Sequence, residues 1–208
     1  MFRRFFLRSA LMVLFSGTIL HADPVDDVEQ AAFAAFPGMP RVQTVPEIVG
    51  RCGADVRVNA AVAYCTSRNV IFVSSQTRTR PEAAYLVAHV YGHAVQVRHG
   101  VADFALAQIR SRRGEEAMLR GLVTRQVECI AGFLMSRGGL ETLALSQMFA
   151  EEPFTGAHWG RDPLRIGPKV SIGLAERDAW FQIGLGGDIA ACAPGEFSAD
   201  LLLEALRP

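Results

Sequence analysis

A chain of 208 residues with 21 basic and 21 acidic side chains, half of it apolar, is long enough for one core of ordinary domain size, about 100–200 residues. The balanced charge excludes the clustered basic excess of a nucleic-acid binder and the acidic excess of a disordered tail. Twenty of the 21 basic residues are arginine, which beside abundant Ala and Gly reads as compositional bias rather than phosphate recognition.

Residues 1–22 have the layout of a secretory signal peptide. Arg3, Arg4 and Arg8 precede an apolar stretch from Ala10 to Leu20, and the small residue Ala22 stands before Asp23. Leu20 is a poor residue three positions before the cut, so an uncleaved N-terminal anchor is the alternative. Either way residues 23–208 form one domain outside the cytoplasm, periplasmic or secreted, or anchored to the inner membrane if the signal stays. They carry 18 basic and 21 acidic residues, a net charge of −3. Outside the N-terminus there is no apolar run of about 20 residues, the length of a membrane span.

In chain order, 24–36 reads as a short amphipathic helix stopped by Pro37-Gly38-Met39-Pro40. Strand signals dominate from 42 to 73, with candidates at 42–49, 61–64 and 69–74. From Pro81 the pattern turns helical, first over 81–98, with proline in the first turn. Further helices are expected at about 102–112, 115–136, 139–149, 174–184 and 198–206. The stretch 150–173, which carries Pro153, Pro163 and Pro168 with Gly156, Gly160 and Gly167, reads as a long loop, a length usually reserved for functional or disordered segments. Strands first and helices after give an α+β class: a small N-terminal sheet followed by a mainly helical body.

Cys52, Cys65, Cys129 and Cys192 form an even set in an oxidising compartment, where two disulfides are expected. Three pairings are open. Cys52 and Cys65 bracket a short loop that a local bridge closes easily, and Cys129 with Cys192 would then tie a helix to the C-terminal segment. Cysteine as a zinc ligand competes with this, without any C-x-x-C spacing to support it.

The chemistry concentrates in Leu86–Gln96, LVAHVYGHAVQ. His89 and His93 stand four residues apart, about 40° on a helix, so both lie on one face and can hold one divalent metal. The alternative is a helix with two unrelated histidines.

This segment resembles the H-E-F-G-H-x-V-Q signature of the bacterial neutral zinc metallopeptidase family. Further blocks match in the same order. Cys52-Gly53, Ala63-Tyr64-Cys65 and the strand Asn69–Ser74 are similar to that family's C-G … Y-C region. Gln126-Val127-Glu128-Cys129-Ile130-Ala131-Gly132 resembles its E-L-Q-A-D-C-x-A-G block. Glu176-Arg177, Trp180-Phe181, Gly184, Gly187-Asp188, Cys192 and Phe197 resemble its C-terminal pattern. The blocks span residues 50–197. The resemblance implies a zincin-like fold, an extracytoplasmic location, zinc and peptide-bond hydrolysis.

Two departures limit what carries over. Val90 stands where H-E-x-x-H has its glutamate, the group that takes a proton from zinc-bound water and returns it to the leaving amine. General-base help is worth about 10²–10⁴ in rate, and valine offers none. Thr124 stands where the family has its glutamate ligand. Glu128, aligned with the aspartate of that block, is a candidate third ligand or a group that holds an imidazole. His99 and His158 are further candidates. A continuing helix would place His99 about 15 Å along the axis from His89, and His158 lies in the long loop.

Other residues have quieter readings. Arg177 suits a structural salt bridge better than a peptide carboxylate. Gly92, costing about 1 kcal/mol of helix propensity against alanine, suggests a close neighbour. The strand at 69–74 is either core or an edge that takes an extended peptide. The expectation is a zincin-like pseudopeptidase with no catalytic residue, offering its cleft to a peptide or protein partner. The alternatives are an active zinc peptidase using His89, His93 and Glu128 with an unidentified base, and a metal-free structural domain.

Overall fold

The computed structural model describes residues 23–54, 59, 61–140, 142–158 and 166–207, with backbone alone for 156–158 and 166–169. Residues 1–22, expected from the sequence to be a signal peptide or anchor, lie outside them. Asp23 opens helix α1 (Pro24–Ala35) by accepting from the Val25 N–H at 2.9 Å, and Pro24 sits in the first turn, where a missing N–H costs no bond. Strand β1 (Arg41–Val45) stops short of the expected 49, because Pro46 has no N–H with which to continue a ladder.

β2 (Val62–Cys65) and β3 (Val70–Ser74) complete a three-stranded sheet in the order β1-β3-β2, with β1 parallel and β2 antiparallel to β3. The strand over 69–74 is therefore the centre of the sheet, and the edge reading for it is corrected. All five residues of β3 are buried. Ile71 and Val73 enter the main core, while Val70 and Phe72 join Val45 and Ile48 in a second cluster. That is the period-two alternation of a strand covered on both faces.

After the single turn α2 (Ser75–Arg78), whose Arg78 pairs with Asp23 at 2.8 Å and Asp26 at 2.5 Å, comes α3 (Ala83–Arg98). Thirteen of its 16 residues are buried, so it is a core helix rather than an amphipathic surface one. α4 (Val101–Ser111) leads to α5 (Glu116–Arg137). α3 and α5 run antiparallel: a Cβ on Gly92 would stand 2.8 Å from the Val127 carbonyl oxygen, and the Gln96 amide donates to the Val123 carbonyl at 3.2 Å. The close neighbour that Gly92 suggests is thus α5.

The helix expected over 139–149 is only one turn, α6 (Leu145–Met148). Gly139 is in the left-handed region, and the turn starts where Asp178 accepts from the Leu145 N–H at 2.9 Å. The 150–173 stretch is not all loop. It holds an antiparallel hairpin of β4 (Gly156–His158) and β5 (Ile166–Lys169). α7 (Leu174–Leu185) then packs on α5 at a glycine pair. A Cβ on Gly184 would meet the Cys129 carbonyl oxygen at 1.9 Å, and one on Gly132 the Phe181 oxygen at 2.1 Å. A short last helix, α8 (Asp200–Ala205), follows.

The fold is α+β with a small sheet and a mainly helical body. Both disulfides form, Cys52 with Cys65 and Cys129 with Cys192, which removes the reading of cysteine as a zinc ligand. Among the described residues no helix is long and apolar enough to cross a membrane.

Candidate functional site

α3 and α5 bring His89 and Glu128 together in the interior. His89 is 2% exposed and Glu128 not at all. The His89 Nδ1 lies 3.1 Å from Glu128 Oε1, within ion-pair distance. A proton on Nδ1 facing a carboxylate leaves the Nε2 lone pair free, an arrangement in which a carboxylate holds a histidine's orientation.

Glu128 has two further partners. The Tyr85 hydroxyl, one turn before His89 on α3, donates to Oε2 at 3.0 Å, and Arg177 of α7 donates through Nη1 to Oε1. Burial pushes the Glu128 carboxyl up, but His89 and Arg177 more than reverse this, and it ends below the usual carboxylate value. It is therefore an anion near neutral pH. Burial first, and then the Glu128 charge, hold the Tyr85 phenol well above its usual value, so it stays a donor.

Arg177 is fully buried and forks between two carboxylates, as a planar guanidinium allows. Besides Glu128 it donates from Nε to Glu152 Oε1 at 2.6 Å and from Nη2 to the Phe154 carbonyl at 3.1 Å. Glu152 also accepts from the Ser171 hydroxyl and from the Ile172 N–H at 3.0 Å. Burial works against its ionisation, and these donors together with Arg177 bring its carboxyl below the usual value. The structural salt bridge expected of Arg177 is a pair of bridges.

The side chain of Phe154 lies flat on His89, with ring centroids 4.1 Å apart and planes within 7°. His93, half-buried, has its ring 5.1 Å from that of His89 and at 77° to it, so the two imidazoles do share one helix face. Among the described residues no group of three or more His, Cys, Asp and Glu is arranged to hold a metal ion.

The departures from the peptidase pattern are both buried. Val90 packs into the main core, and the Thr124 hydroxyl turns back to the Arg120 carbonyl of its own helix at 3.0 Å. His99 stands at the C-terminal end of α3 against Phe36, with ring centroids 5.8 Å apart. Burial first, then the Arg98 charge, lowers its pKa. The side chain of His158 lies outside the described residues.

Gln96, from the end of the motif, donates to Gln126 at 3.1 Å, and Gln126 in turn to the Cys192 carbonyl at 3.0 Å. This buried amide chain braces α3, α5 and the C-terminal segment. Tyr85, Glu152 and Phe154 belong to the site without having been singled out from the sequence. Tyr85 carried a signal, its spacing of four residues before His89; the other two sit in a loop-like stretch that nothing in the sequence connects to α3. Compared with protein-family models, with curated proteins and with solved structures, the chain matches none.

Proposed function

We propose that this is an extracytoplasmic, zincin-like pseudopeptidase, a protein that retains the two-histidine helix as part of its core, does not hydrolyse peptide bonds, and acts by binding a peptide or protein partner. One observation supports this above the others: Glu128, the acidic group nearest His89, is committed to a buried arginine. A catalytic zinc takes three protein ligands and keeps an open position. Here the donor set does not suit it. Both Glu128 oxygens already accept hydrogen bonds, and the Arg177 guanidinium bonded to that carboxylate would repel a divalent cation. Phe154 covers the flat face of His89, and Val90 supplies neither a base nor a site for water.

The test is metal content and cleavage on the purified protein. The expected results are no stoichiometric zinc, no chelator-sensitive cleavage of a casein-type substrate, and equal melting temperatures in excess zinc and in chelator, since an ion that binds only the folded state must raise stability. One zinc per chain, lost in His89→Ala and accompanied by cleavage, overturns the reading in favour of a working hydrolase on His89, His93 and Glu128. The adjacency of the two rings is what favours that second reading.

A further inference from the structure

The segment 152–155 is held against the histidine face more firmly than a connection requires. Glu152 has three donors, from Ser171, Ile172 and Arg177. The Phe154 carbonyl takes the remaining arm of Arg177, and the Thr155 carbonyl accepts from the Val170 N–H at 2.9 Å, extending the β4–β5 ladder. Between these anchors Phe154 has φ +57°, the left-handed region, which a bulky residue adopts only when its surroundings force it. What is gained there is the stack on His89. The strained residue, the ring stack and the fork of Arg177 all concern one place.

We propose that residues 152–155 are an intramolecular strap: Arg177 is its latch, Phe154 its plug, and the strap occupies the face of His89 that a partner peptide would otherwise approach. A partner reaches His89 only by displacing Phe154, and a carboxylate on that partner would compete with Glu152 for Arg177. This regulation builds on the pseudopeptidase reading, in which the site binds rather than cleaves.

The experiment measures acylation of the histidines of the full chain by diethylpyrocarbonate, read by mass spectrometry. Trypsin does not cut between Arg80 and Pro81, so His89 and His93 fall together in the peptide 79–98 and His99 in the next one, which makes His99 the internal reference. Phe154→Gly removes the plug and suits the left-handed backbone. Glu152→Gln weakens the latch and leaves the ring in place. Relative to His99, modification of His89 should rise at least about fivefold in Phe154→Gly and about threefold in Glu152→Gln, in line with the strength of an aromatic stack and of a partly buried ion pair. Circular dichroism checks that both variants fold; if one does not, the other carries the test. Unchanged labelling of His89 in a folded variant overturns the strap. Neither result bears on zinc or cleavage, so the strap and the pseudopeptidase reading fail separately.

Discussion

Replacing Glu128 by glutamine keeps the size of the side chain and removes only its charge and half its acceptors. Among the described residues the groups facing the carboxylate are the Arg177 Nη1, the Tyr85 hydroxyl and the His89 Nδ1, the first two of which donate to it. The new NH₂ must therefore face a donor, unless Tyr85 turns its hydroxyl to accept. Breaking a buried ion pair by removing one partner costs about 3–5 kcal/mol. Arg177 keeps Glu152, which places Glu128→Gln at the low end, about 3 kcal/mol. For a chain of this size that is a fall in Tm of roughly 6–12 °C. The pH dependence adds a second check. The folded carboxyl lies below the ordinary value of 4.5, so its contribution is complete above that value and is lost as pH falls through the folded one. The gap between wild type and variant should be widest near neutrality and should narrow as the pH falls through the lowered folded value. Urea unfolding followed by circular dichroism at several pH values reads both. A variant within about 0.5 kcal/mol of wild type, or a gap that stays constant on acidification, refutes the assignment of Glu128 as the buried counter-ion of this site.

Two other outcomes are expected. Gly184→Ala pushes a methyl group to within 1.9 Å of the Cys129 carbonyl and 2.8 Å of the Phe133 nitrogen, both backbone atoms that cannot swing aside. It should cost at least about 2 kcal/mol, whereas Gly114→Ala, with nothing within 4 Å, should stay within about 0.5 kcal/mol; chemical denaturation of the two variants side by side decides. The disulfides span 13 and 63 residues, so loop-closure entropy assigns about 3 kcal/mol to Cys52–Cys65 and about 4 kcal/mol to Cys129–Cys192. Paired alanine substitutions should rank in that order in denaturant midpoint, and the reverse order would count against an entropic account.

The class of fold was readable because its signals are local. Apolar runs at strand and helix length and the even set of cysteines led to the sheet, the buried helix α3 and the two bridges, although α3 begins at Ala83 and Pro81 stands before its N-cap Glu82 rather than in its first turn. Where a single residue breaks a pattern, the boundary moved. Pro46 ends β1, and the left-handed Gly139 with the cap from Asp178 leaves one turn of the helix expected over 139–149. The position of β3 in its sheet was not readable, since a strand buried on both faces and an apolar edge strand look alike in one dimension. The histidine spacing placed two rings on one face, and the block holding Glu128 brought it beside His89. The fork of Arg177 to Glu128 and Glu152 joins α7, α5 and a stretch with no regular pattern, and only the folded chain reveals it. The covering of His89 by Phe154 is of the same kind.

The bridge from Cys129 to Cys192 has a topological consequence, because it encloses α6, the hairpin and α7. Everything that touches Arg177 from the 152–172 stretch lies within that covalent ring. A protease that nicks the chain at any one point between the two cysteines opens the ring and severs nothing from the molecule. The two ends stay tethered through sulfur until a reductant arrives.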